Sequence, residues 1–126
     1  MPVLLDTHAF LWWCGDSPEL SATALKAIES SDCLVSMASF WEISIKVSLG
    51  KLRLPKPVER YLPEQMSLNG FETLAIAFRH VTGTCTLPWH HRDPFDRLMV
   101  AQATEEKVSI VSRDGQFDAY GLTRIW

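Results

Sequence analysis

Long apolar runs are missing: the longest, such as Ala9 to Cys14, falls far below the roughly 20 residues that a bilayer-spanning helix requires. No cationic stretch leads into an apolar segment with a small-residue cleavage site, so a cytoplasmic protein with no membrane partner is expected. Cysteine is sparse. Cys14, Cys33 and Cys85 are odd in number, widely spaced and outside any C-x-x-C or Cys/His pattern, which points away from a disulfide framework or zinc knuckle and leaves them as small core residues. Excess positive charge is also missing. With 12 Lys+Arg against 15 Asp+Glu the net charge is -3, so nucleic acid is not held by bulk electrostatics, and any such role must be local. Internal repeats, low-complexity tracts and linkers are absent.

What is present is an ordinary globular composition, 47% apolar and 21% charged over 126 residues, which suits a single domain over residues 1–126 with a real core. Val3-Leu4-Leu5 is a short apolar run ended by Asp6-Thr7, and Ala9 to Trp13 follows as a helix. Ser21 caps a second helix through Ala24, Leu25 and Ile28, and Cys33 to Ser36 is a second strand. The clearest helix runs from Phe40 to Leu49, where Phe40/Ile43/Val47 and Trp41/Ile45/Leu49 recur at helical steps before Gly50. Val58 to Leu68 reads as a helix made less regular by Pro63, Phe71 to Leu74 as a strand, and Ile76 to Val81 as a short helix. After an irregular segment, Thr82 to Arg92, Asp93 caps a helix that starts at Pro94 and ends near Lys107. Ser109 to Ser112 and Leu122 to Ile125 complete the strands. This alternation predicts an α/β fold, a three-layer α/β/α sandwich around a mainly parallel sheet.

In such sheets ligands bind beyond the carboxyl ends of the strands, where Asp6 and Asp114 fall. Glu42 is placed in the first turn of the helix after the second strand, and Asp96 in the first turn of the helix before the strand that precedes Asp114. Carboxylates gathered in a small volume repel one another unless a cation joins them. Oxygen-only ligands favour Mg²⁺, with Mn²⁺ as a substitute, and the matching chemistry is phosphodiester hydrolysis by metal-activated water. The hydroxyls of Thr7 and Ser112 are suited to orienting a carboxylate or a water.

Leu4-Leu5-Asp6-Thr7-His8, Ser39-Phe40-Trp41-Glu42-Ile43, Arg92-Asp93-Pro94-Phe95-Asp96-Arg97-Leu98 and Ser112-Arg113-Asp114 together resemble the PIN-domain nucleases. The similarity is to VapC-type toxins of toxin-antitoxin pairs, and it extends through Lys46 to Leu52 and Tyr120-Gly121 over essentially the whole chain. It implies a Mg²⁺-dependent endoribonuclease in which Asp6, Glu42, Asp96 and Asp114 match the acidic quartet. An antitoxin protein that silences the enzyme, and a homodimer, are implied as well.

Each motif also has a plainer reading. Ser39-x-x-Glu42 is a capping-box pattern, and Glu42 with Lys46 is a favourable helical pair. Asp96 could serve only the positive end of its helix, Asp114-Gly115 a turn, and Asp6 a strand end. His90-His91 reads as a solvated pair. Lys46, Arg92, Arg97 and Arg113 flank the acids, and Arg97 and Lys46 are expected to contact RNA phosphates. Phe10 to Trp13 offers more apolar surface than one helical face buries, so Trp12 or Trp13 is expected against the antitoxin or a second subunit. Two other functions compete: a phospho-accepting receiver, for which no suitable lysine follows the last strand, and a catalytically inactive metal- or partner-binding module.

Overall fold

Along Pro2–Leu5 successive side chains point to opposite faces, as the pleat requires, with Val3 and Leu5 in one apolar core and Leu4 in another. The computed structural model, which describes residues 1–126, extends this division through the chain. Its strands are β1 (Pro2–Leu5), β2 (Asp32–Ser36), β3 (Glu72–Leu74), β4 (Ser109–Val111) and β5 (Arg124–Ile125). Its helices are α1 (Thr7–Cys14), α2 (Ala22–Ser30), α3 (Met37–Ser48), α4 (Val58–Asn69), α5 (Phe78–Gly83) and α6 (Pro94–Glu106). One core joins residues of α1, α2, α3 and α4, while the other joins Met99, Val100 and Ala103 of α6 with Phe117.

The strand order is β3-β2-β1-β4-β5, and every pair is parallel. The chain builds outward from β1 to β3, then returns and builds β4 and β5 on the other side. The order therefore reverses between β1 and β4, and the carboxyl ends of these two strands border the crevice in which doubly wound sheets bind ligands.

Local chemistry sets the boundaries. Helix α3 starts at Met37, three residues before the expected Phe40, because the Ser36 hydroxyl accepts a hydrogen bond from the Ala38 amide at 3.0 Å. Gly50 takes the left-handed conformation expected of it, with φ 71°. Pro63 lies inside α4 without ending it.

Two expectations about apolar residues change. Only Cys33 of the three cysteines is buried; Cys14 is half-buried and Cys85 exposed, on a short 3-10 segment outside both cores. The surface of α1 is largely covered by the chain itself. Phe10 is buried, the Trp13 indole donates to Asn69 Oδ1 at 3.0 Å, and Trp12 lies against Trp126 with ring centroids 5.8 Å apart. The large apolar side chains left to solvent are instead Trp41, Phe78 and Trp89, among others. No helix is long and apolar enough to cross a membrane.

Candidate active site

Strand ends bring the first components together. The Asp6 amide donates to the Val111 carbonyl at 3.1 Å, so the residue after β1 is clamped to the end of β4. Its Oδ1 caps α1 by accepting from the Ala9 amide at 2.8 Å. Burial raises the Asp6 pKa above its ordinary value, and the Ser112 hydroxyl and the Ala9 amide pull it back only in part. Ser112, buried at the end of β4, accepts from the Asp114 amide at 3.0 Å. Asp114 in turn caps the 3-10 helix Gly115–Tyr120 through Oδ1, which accepts from Gln116 at 2.9 Å. The turn reading of Asp114 and the strand-end reading of Asp6 are thus true locally, yet both residues also face the crevice.

Glu42 reaches the crevice from the second turn of α3, not the first, because α3 begins early. Ser36 is the cap, so the capping-box reading of Ser39 and Glu42 does not hold. The Thr7 hydroxyl donates to Glu42 Oε1 at 2.7 Å and lies 2.9 Å from Ser39 Oγ, while Lys46 pairs with Glu42 Oε2 at 3.1 Å. Thr7 therefore orients a buried carboxylate, one of the two tasks expected of it.

Asp93 caps α6 by accepting from the amides of Phe95 and Asp96, and Asp96, in the first turn, lies near the other acids. The Asp96 pKa is pushed up to about 8, first by burial and then by the negative charges of Asp93, Glu42, Asp6 and Asp114. All four expected acids therefore lie close enough to act on one another, and the compensating cation in contact with them is Lys46, at Glu42 alone.

His91, read from sequence as solvated, is buried in the middle of this cluster. Its Nε2 lies 3.0 Å from Asp96 Oδ2 and 2.9 Å from Asp114 Oδ2, while Nδ1 accepts from the Asp93 amide at 3.2 Å. The one signal available in the sequence was its place two residues before the cap of α6; its burial depends on Tyr120 and Phe117, distant in the chain.

Arg97 departs from expectation in the opposite sense. Its guanidinium is buried and donates to the carbonyls of Thr84, Leu87, Pro88 and His91 and to the Tyr120 hydroxyl. Trp89 covers it, with the ring centroid 3.6 Å from the guanidinium carbon. With both terminal nitrogens committed and its plane covered, Arg97 holds the segment between α5 and α6 in place and does not present charge to RNA. Arg113 is likewise engaged, with Glu19 at 2.6 Å, and His90 rests edge-on against Tyr120. Lys46 keeps a part-exposed ammonium and borders a cleft of about 680 Å³ that Lys51 and Arg53 also line.

The family model described as PIN domain matches residues 3–122. Ribonuclease VapC22 of Mycobacterium tuberculosis is 32% identical over 114 residues, covering 89% of this chain and 86% of its own length. Among solved structures, VapBC2 from Rickettsia felis, bound to a DNA fragment from its promoter, aligns with a TM-score of 0.72 at 13% identity, covering 98% of this chain and 97% of that one. Mycobacterium tuberculosis VapC20, described as a sarcin-ricin loop cleaving toxin, aligns with a TM-score of 0.66 at 12% identity, covering 96% of each chain.

Proposed function

The chain belongs to the PIN-domain family, and from that premise we propose that it is a divalent-metal-dependent endoribonuclease of the VapC toxin type. The observation that carries this reading is the meeting of Asp6, Glu42, Asp96 and Asp114 at the reversal point of the sheet, where burial first and the neighbouring acids after it push the Asp96 pKa up to about 8. A donor set dominated by carboxylate oxygens, with more negative charge than Lys46 offsets, suits a hard divalent cation. Asp6, Glu42, Asp96 and Asp114 are the residues that would hold Mg²⁺, or Mn²⁺ in its place. When bound, such an ion supplies Lewis-acid stabilisation of charge at phosphorus and favours deprotonation of water.

The chain's own residues supply position and charge. Thr7 fixes the Glu42 carboxylate, and Ser112 steadies Asp6 and the Asp114 backbone. Lys46, beside Lys51 and Arg53, offers an RNA strand a local cationic path to the acids in a molecule that is negative overall. The similarity to a VapC ribonuclease supports an antitoxin partner and a homodimer. The exposed side chains of Trp41, Phe78 and Val81 are apolar surface that such partners could cover.

The test is incubation of purified protein with a mixed RNA pool in Mg²⁺, Mn²⁺ or EDTA, with analysis of the new ends. Hydrolysis by water predicts metal-dependent fragments without 2′,3′-cyclic phosphates. Cyclic ends, or cleavage that persists in EDTA, would contradict the mechanism.

A further inference from the structure

We infer that His91 is a positioning residue of the acidic site: an imidazole held with its proton on Nε2, which it donates to Asp114 while standing 3.0 Å from Asp96, setting how far apart these carboxylates stand. The inference rests on the divalent-cation reading above and assigns a role within that site.

The proton's place follows from the partners. The Asp93 amide can only donate, so the Nδ1 that faces it at 3.2 Å carries no hydrogen. The ring proton is then on Nε2, where two carboxylate oxygens wait at 3.0 and 2.9 Å. Direct ligation of a metal through Nε2 would need the proton on Nδ1, pointing at the Asp93 amide hydrogen, so this ring orientation fits a donor to Asp114 and not a ligand.

The ring is held from several sides. Its face meets Phe117 at 5.9 Å, its backbone amide donates to Tyr120 Oη at 2.9 Å, and its carbonyl accepts from Arg97 at 3.4 Å. The buried Arg97 guanidinium, with its carbonyl acceptors and its Trp89 cover, fixes the segment from which His91 projects. Much of the polar structure between α5 and α6 thus converges on the placement of one imidazole.

A donor of this kind has a specific use. Two carboxylates that must ionise together to hold a cation repel each other when nothing joins them. An ammonium or guanidinium would join them but cancel the charge that attracts a cation. An imidazole set between them, donating its one proton to Asp114 with Asp96 Oδ2 3.0 Å away, spaces the two acids while leaving their charge to the ion. Its Nε2 bonds Asp114 Oδ2 and the Gln116 amide bonds Asp114 Oδ1, so the orientation of Asp114 is set before an ion arrives, with Asp96 Oδ2 held 3.0 Å from the same nitrogen.

The experiment pairs two readouts, neither requiring RNA. Long-range ¹H–¹⁵N NMR of the wild-type protein should find the His91 proton on Nε2, both in EDTA and with saturating Mg²⁺. A proton on Nδ1, or loss of the Nε2 proton when Mg²⁺ is added, would overturn the positioning role. Calorimetric titration of Mg²⁺ should show about 10- to 100-fold weaker binding by H91A, with partial recovery in H91Q, whose amide nitrogen can donate from a similar place. Equal Mg²⁺ affinity in wild type and H91A would overturn the positioning role alone, whereas a wild type that binds no divalent ion would overturn the cation site as well. Mg²⁺ binding without RNA cleavage would contradict the nuclease reading and leave both His91 readouts intact.

Discussion

Asp96 is held under strong electrostatic tension by burial and by the acids around it. Its pKa stands at about 8 in the folded chain against an ordinary value of 3.8, so between those pH values the folded state binds a proton that the unfolded state does not. Stability of the metal-free protein must therefore fall as pH rises through that window, and the raised Asp6 adds to the same trend. Thermal melts in EDTA should show a falling midpoint from pH 5 to pH 8, flattened in D96N, and Mg²⁺ should raise the wild-type midpoint most at the alkaline end. A midpoint that climbs over this range in EDTA would contradict the crowding. Arg97 and Lys46 illustrate what residue type alone conceals. Both are cations near acids in the sequence, yet Arg97 is buried against carbonyls while Lys46 keeps partial exposure. Replacing Arg97 with Ala should cost about 2–4 kcal/mol in urea unfolding, because its buried acceptors lose their donor. K46A should cost up to about 1 kcal/mol, because its pair with Glu42 is part-exposed, and lower the salt dependence of RNA binding by about one phosphate contact. His91 was hidden for the same reason as Arg97: burial is decided by what Phe117 and Tyr120 do across the fold, and local composition does not encode it.

At the level of elements, the strands and helices were largely legible because their apolar periods are strong, and the departures trace to particular caps. Helix α3 was expected from Phe40 because its apolar repeat becomes clear there, but the Ser36 hydroxyl starts it at Met37. That shift of three residues moves Glu42 from the first turn to the second and removes the capping-box alternative. Ser36 also donates to Gln102 Oε1 of α6 at 2.6 Å, so one buried hydroxyl ties the start of α3 to the helix that carries Asp96. S36A should cost about 1–3 kcal/mol, the sum of a lost cap and an unpaired buried amide oxygen, read as a lower urea midpoint with an unchanged m-value. At the start of α6, Asp93 and Pro94 were read correctly because the capping signal is local, and Asp96 falls in the first turn that this cap begins. The segment between α5 and α6 was not legible. It is held mainly by Arg97, Trp89 and Tyr120, whose contacts span up to 32 residues of sequence and follow no periodic pattern.

On the scale of the whole molecule, a parallel sheet that reverses its order between β1 and β4 accounts for why acids from four separate parts of the chain share one crevice. The acidic balance that excluded bulk electrostatic binding is consistent with this arrangement. Asp6, Glu42, Asp96 and Asp114 crowd the crevice, and Lys46, Lys51 and Arg53 line a cleft that Lys46 joins to Glu42. The sheet type and the strand-end acids could be read from the sequence because alternation and position suffice for them. How closely the acids approach, and what stands between them, required the fold. The most direct test of the central claim is RNA cleavage by the wild type and by D6N, side by side in Mg²⁺ and in EDTA, with folding of both checked by circular dichroism. The acidic cation site predicts discrete fragments from the wild type in Mg²⁺ alone, and activity lower by about 100-fold or more in a folded D6N, the scale on which loss of one charge-stabilising group is felt. Undiminished cleavage by D6N, or by the wild type in EDTA, would contradict it.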